Sequence, residues 1–302
     1  MKAALDLRAI MALVVLCGSW GLNQVAIKVT LWGIPPALQM GLRSLLAAVL
    51  VLAWCLARGV PIFRRDATLW PGLAVGLLFG LEFLLLFFGL QLTTASRGVV
   101  LLYLAPFVVA IGAHFALGEP LSARKLAGLV AAFLGVVLAF SESLAAATAE
   151  TTLLGDALCV GAAVAWGLTL VLVKGSALSR VAAEKTLLYQ LAVSAVLGLG
   201  LALALGEHLE PRLALAVLPA FLYQAIWVAT VTYIAWFALM RKYPASLLSS
   251  FTFLAPLFGV AFGAALLGEK LSPSLIAALV LVAAGIYLVN RGAARPPAAA
   301  AG

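Results

Sequence analysis

The chain has 302 residues, of which 65% are hydrophobic and 10% charged, and it carries a formal net charge of +8. With a mean hydropathy of +1.18 it lacks the polar surface of a water-soluble globule, and the alternating pattern of a membrane β-barrel is missing too. Apolar runs of about 20 residues recur, enough for a helix to cross roughly 30 Å of hydrocarbon at about 1.5 Å per residue. The fold class is therefore all-α integral membrane.

In chain order the pattern predicts ten transmembrane helices, near residues 10–29, 37–57, 70–91, 96–117, 125–140, 153–174, 186–205, 216–239, 246–267 and 274–290. The first is too long and too polar for a cleavable signal peptide. Short connections containing Pro, Gly or charge separate most of them, such as Trp32-Gly33-Ile34-Pro35-Pro36 and Arg241-Lys242-Tyr243-Pro244. The longest polar gap, Glu142 to Thr152, divides the chain into five spans plus five. Residues 1–145 and 146–291 are expected as two five-helix units, and the Arg-, Pro- and Ala-rich tail over 292–302 is expected to be disordered.

Basic residues set the orientation. With the N-terminus inside, 14 Lys and Arg fall in cytoplasmic segments against four outside (Lys28, Arg97, Arg212 and Lys270), and Arg43 stays within the membrane. Both termini are expected in the cytoplasm. The positive charge then reflects insertion topology and implies no nucleic-acid partner.

The stretch Tyr103 to Phe140 returns 150 residues later as Phe253 to Asn290, with 13 of 38 positions identical. Leu104-Ala105-Pro106 matches Leu254-Ala255-Pro256, and Gly118-Glu119 matches Gly268-Glu269. Trp20-Gly21-Leu22 likewise matches Trp166-Gly167-Leu168. An odd number of spans per unit makes the second copy run in the opposite sense, which predicts two inverted five-helix repeats around a central cavity, the plan of many secondary transporters.

Ala95-Ser96, Leu104-Ala105-Pro106 and Gly118-Glu119, repeated as Ala245-Ser246, Leu254-Ala255-Pro256 and Gly268-Glu269, resemble the drug/metabolite transporter superfamily. More narrowly they resemble its EamA-type ten-helix transporters, and the aromatic-rich spans are most similar to the YddG-like amino-acid exporters. The resemblance implies a bacterial inner-membrane protein that exports small metabolites by alternating access. Gln190 in span 7 stands where span 2 has Arg43, so the halves are not chemically equivalent.

Helical phase selects the cavity face. Val99, Tyr103, Phe107, Ala110 and His114 share one face of span 4, and Ser246, Ser249, Phe253 and Leu257 the corresponding face of span 9. Span 1 gathers Trp20, Asn23, Gln24 and Ile27, span 6 gathers Trp166, Thr169, Leu170 and Val173, and span 8 offers Tyr223, Trp227 and Thr230. Polar residues at such depth face the bundle interior or a watery cavity, although packing and interfacial belts also use Trp and Tyr. Trp32, Trp54 and Trp70, near span ends, read as belt residues. The expected substrate-binding set is Trp20, Asn23, Glu82, Tyr103, Phe107, Trp166, Thr169, Trp227 and Phe253.

Glu82 lies about twelve residues into span 3, where an ionised carboxylate must be protonated, paired or wetted. It is either a site for a proton or a substrate ammonium, or a structural partner of Arg43. The glycines Gly72, Gly76 and Gly80 form a separate packing ridge on the same span. Pro106 and Pro256 should kink spans 4 and 9 and act as hinges. Glu119 and Glu269, in mirrored turns, suit a capping role. Cys17, Cys55 and Cys159 show no metal or disulfide spacing, and no cofactor is expected.

A transporter accounts for the repeat and the aromatic stripes. A membrane enzyme would need a reactive cluster, whereas His114 and His208 are far apart in sequence. The expected cargo is a neutral, partly apolar metabolite such as an amino acid, with lipophilic cations as the alternative. Membrane lipid and protons are further candidate partners, and a monomer is expected.

Overall fold

The computed structural model describes residues 5–64, 66–93, 95–141, 153–267 and 274–293, and every regular element among them is helical. Asp6 caps α1 (Leu7–Thr30), its carboxylate accepting from Ala9 N at 2.9 Å. α2 (Pro36–Ala57), α3 (Leu69–Leu92), α4 (Ala95–Leu102), α5 (Ala105–Leu117) and α6 (Ala123–Ala139) follow. Gly118, at φ 67°, takes the left-handed conformation that ends α5. Next come α7 (Leu153–Gly175), a 3₁₀ turn (Ala177–Arg180) and α8 (Ala183–Ala204). Short helices α9 (Pro211–Ala216) and α10 (Leu218–Leu222) lead into a π-helical segment, Tyr223–Thr232, continued by α11 (Tyr233–Met240). α12 (Ala245–Phe251), α13 (Leu254–Leu267) and α14 (Ser274–Ala293) complete the chain.

Eight stretches among the described residues are long and apolar enough to cross a membrane. The expected fifth span is α6, 17 residues long, or roughly 26 Å at the helical rise. The tenth contains the shorter apolar stretch Ile276–Arg291. α14 runs on to Ala293, two residues into the segment expected as tail. Glu269, the gap from Glu142 to Thr152 and the residues after 293 lie outside the described residues.

The tightest helix contacts come in matched pairs. A Cβ on Gly21 would lie 2.5 Å from Phe258 Cβ and 2.8 Å from Ala255 O, and one on Gly167 would lie 2.6 Å from Val108 Cβ and 3.2 Å from Ala105 O. Adding 150 to 105 and 108 gives 255 and 258, so one contact is the other with the halves exchanged. α6 and α14 show the same relation: a Cβ on Gly128 would lie 2.6 Å from Gly285 O, and one on Gly135 would lie 2.8 Å from Ala278 O. Ser44 on α2 shares a 3.1 Å hydrogen bond with Ser194 on α8, again 150 residues apart. Gly72 and Gly76 of α3 receive Tyr189 and Val193 of α8, and Gly80 receives Leu197, a small-residue ridge that brings the two helices close.

The expected hinges sit at helix breaks. α4 ends at Leu102 and α5 restarts at Ala105, with Pro106 in the new helix's first turn. α12 ends at Phe251 and α13 restarts at Leu254, and Thr252 O is taken up by Ala255 N at 2.9 Å. A proline has no N–H to continue the preceding helix, so the ladder must break one turn earlier.

Candidate functional site: an aromatic cavity with a buried carboxylate

A cavity of about 140 Å³ lies between α1, α3, the α4–α5 break, α7, α8 and α11. Trp20, Asn23 and Ile27 come from α1, and Phe79, Glu82, Phe83 and Leu86 from α3. Leu102 comes from the end of α4 and Tyr103 from the break, Trp166, Thr169 and Leu170 from α7, Gln190 from α8, and Tyr233, Trp236 and Phe237 from α11. Rings meet edge to face around it. Trp20 contacts Trp236 at 5.2 Å between centroids, Tyr103 contacts Trp166 at 5.8 Å, and Phe79 contacts Phe83 at 5.1 Å and Tyr233 at 5.9 Å. Trp20 is fixed further by donating Nε1–H to Thr232 Oγ1 at 2.9 Å.

Several polar atoms in and beside this site are buried and unsatisfied. Asn23 Oδ1, Glu82 Oε2, Arg43 Nε and Nη2, and both amide atoms of Gln190 have no hydrogen-bond partner among the described residues. Each such group costs about 1–3 kcal/mol when left without a partner. Their concentration around one cavity is therefore a cost that a bound polar molecule would relieve. Arg43 is 3% exposed and lies one layer back, its guanidinium carbon 4.6 Å from the centre of the Phe83 ring. It interacts electrostatically with Glu82, yet no ion pair joins them among the described residues.

Six of the nine expected binding residues meet here: Trp20, Asn23, Glu82, Tyr103, Trp166 and Thr169. Three do not. Phe107 packs on Phe133 of α6 at 5.6 Å, and Phe253 is fully buried against Tyr103 and Phe107. Both lie beyond or within a helix break, where the helical phase used to place them is lost. Trp227 is 42% exposed and donates to Ser19 Oγ. Its segment is π-helical, with i→i+5 turns, so counting at 3.6 residues per turn rotates it off its true face. His114 is likewise exposed, beside Glu119 O at 3.1 Å.

Sequence reasoning missed Tyr233, Trp236 and Phe237, which the π-helical phase turns inward, and it missed Gln190 as a wall residue. The contrast between Gln190 and Arg43 in the two halves was the signal available for the latter.

Beside Phe237, which also lines a smaller void at the Lys174 end, polar ties bind the helix ends. Lys174 Nζ donates to Met240 O and to Tyr243 O, and Tyr243 OH donates to Asp6 Oδ2 at 2.9 Å. Lys185 pairs with Asp66 at 2.8 Å, and that ammonium with Thr68 holds the Asp66 carboxyl at about 2, below its ordinary value. Glu119 is buried and accepts from Ala245 N at 2.9 Å and from Ser246 N and Oγ. It thereby caps α12 from the other half of the chain. Trp32, Trp54 and Trp70 are exposed, at the ends of their helices.

A bundle of membrane-length helices, built with repeat-like contacts and enclosing a small aromatic cavity, defines a polytopic membrane transporter. The sequence profile of the EamA-like transporter family matches residues 7–141 and again 153–291, and the chain belongs to that family, within the drug/metabolite transporter superfamily. Its members are transporters, not enzymes. The chain is 29% identical to the Bacillus subtilis protein named "Uncharacterized transporter YvbV", over 100% of this chain and 98% of that one. It is 30% identical to a Salmonella typhimurium protein named "Probable amino-acid metabolite efflux pump", over 89% and 90%. A solved structure at 22% identity superposes with a TM-score of 0.77 over 95% of this chain and 97% of the other, a likeness of fold.

Proposed function

We propose that the protein exports neutral amino acids with aromatic or other apolar side chains, as the YddG-like exporters do, by alternating access. In this reading the ten helices form two inverted five-helix repeats, residues 1–145 and 146–291, in a bacterial inner membrane with both termini cytoplasmic. A thiol at Arg58→Cys reacting only from the cytoplasmic side would check that orientation. The observation that carries the substrate reading is the cavity wall itself, with aromatic rings on most sides and unsatisfied Glu82, Asn23 and Gln190 among them. Rings take an apolar side chain, the carboxylate and amide oxygens take an ammonium, and a dry cavity of about 150 Å³ holds a benzene-sized group. The name of the Salmonella relative points the same way.

Export of lipophilic cations is the second reading, favoured by the same rings and by Glu82, since cations bind aromatic faces. Transport by Trp166→Ala and Tyr103→Ala in proteoliposomes tests the site. Both should raise the half-saturating amino-acid concentration several-fold in folded protein. Unchanged transport and affinity in both would remove the cavity from the mechanism.

A further inference from the structure

The unsatisfied groups around the cavity are of two kinds. Glu82 Oε2, Asn23 Oδ1 and Gln190 Oε1 accept hydrogen bonds, whereas Arg43 Nε and Nη2 and Gln190 Nε2 donate them. Nε and Nη2 form one edge of the guanidinium, the fork that grips a carboxylate through two parallel hydrogen bonds. That edge is free among the described residues in a side chain 97% buried (3% exposed). The guanidinium lies over the Phe83 ring, itself part of the cavity wall.

We infer that Arg43, screened by the Phe83 ring, and Gln190 form a carboxylate-recognising end of the site, opposite in chemistry to the ammonium end at Glu82 and Asn23. Arg43 is thus a specificity-determining residue and not only a packing element of α2. Rotation of the Phe83 side chain uncovers the fork when a carboxylate enters, and an incoming zwitterion satisfies both sets of groups at once. A cation without a carboxylate would satisfy only the acceptors and would meet the Arg43 charge uncompensated.

This inference rests on the amino-acid reading and deepens it. The test measures inhibition constants for L-phenylalanine, phenylethylamine (no carboxylate) and 3-phenylpropionate (no ammonium), against labelled phenylalanine or the best labelled cargo. Wild type should prefer phenylalanine to each analogue by at least tenfold. Arg43→Met should lose the preference over phenylethylamine to within about twofold while keeping the preference over phenylpropionate. Gln190→Leu, which leaves the buried charge in place, should weaken the first preference about threefold and supplies the answer should Arg43→Met fail to fold. Ratios of constants are insensitive to the amount of folded protein. Wild type that binds none of the three overturns the amino-acid reading. Wild type that prefers phenylalanine, with Arg43→Met or Gln190→Leu keeping the full preference over phenylethylamine, overturns the inference alone. Equal binding of phenylalanine and phenylethylamine by wild type also overturns it, in favour of a cation carrier.

Discussion

Glu119 should hold the two halves of the chain together, and its removal should be costly in a calculable way. Its carboxylate receives Ala245 N at 2.9 Å, Ser246 N at 3.4 Å and the Ser246 hydroxyl, all buried at the start of α12. Hydrogen bonds to a charged acceptor contribute about 1.5–3 kcal/mol each, and a negative group at a helix N-terminus adds up to about 2 kcal/mol. The 3.4 Å contact is long and adds little, so Glu119→Ala should cost at least about 3 kcal/mol. Lys125, 3.7 Å away, is not stranded, since Pro120 O also accepts from it at 3.1 Å. Glu119→Gln keeps one oxygen for Ala245 N but turns an amide N–H₂ toward Ser246, and should cost about half as much. Thermal unfolding of the detergent-purified protein should rank wild type above Gln above Ala, with the phenylalanine preference of the folded variants unaltered. Melting of both variants within about 1 °C of wild type would refute the capping role.

Glu82→Gln keeps the shape of the cavity wall but cannot titrate. If Glu82 couples protons, the variant loses gradient-driven accumulation but retains exchange; if it binds the cargo ammonium, affinity falls in both assays; unaltered behaviour in both makes it structural. Gly285→Ala would place a Cβ 2.4 Å from Gly128 O and 2.6 Å from Ala132 N, backbone atoms that no rotamer change can move. It should cost about 1–3 kcal/mol by overpacking, while Gly200→Ala, with nothing within 4 Å, should leave the melting temperature unchanged or higher. The depressed value of Asp66 means that its pairing with Lys185 contributes in full above the unfolded value, near 4, and is lost as pH falls through about 2. The stability gap between wild type and Asp66→Asn should be constant from pH 5 to 7 and close below pH 4; a gap that persists at pH 2 would refute the pairing.

Much of this arrangement was legible in the sequence because periodicity survives wherever a helix is regular. Trp20 and Asn23 on α1 and Trp166 and Thr169 on α7 lie on uninterrupted α-helices, and counting at 3.6 residues per turn put them on the cavity face. Glu82 announced itself by the cost of a carboxylate in an apolar run. The failures fall where regularity stops. Phe107 and Phe253 follow or occupy the breaks before Pro106 and Pro256, and Trp227 sits in a π-helical stretch whose wider turns no local residue type signals. Gln190 is invisible to apolar periodicity because a polar residue at that position reaches the cavity only through the packing of α8 against other helices. Glu119 read correctly as a turn residue, but its target, the start of α12, is 126 residues away and depends on packing rather than local pattern.

The central claim is that one aromatic cavity, with Glu82 in its wall, carries a neutral amino acid across the membrane. Counterflow in proteoliposomes tests it most directly. Vesicles loaded with unlabelled phenylalanine should accumulate labelled phenylalanine transiently, other neutral apolar amino acids should compete, and tetraphenylphosphonium should not. Accumulation of labelled tetraphenylphosphonium without any amino-acid counterflow would contradict the claim.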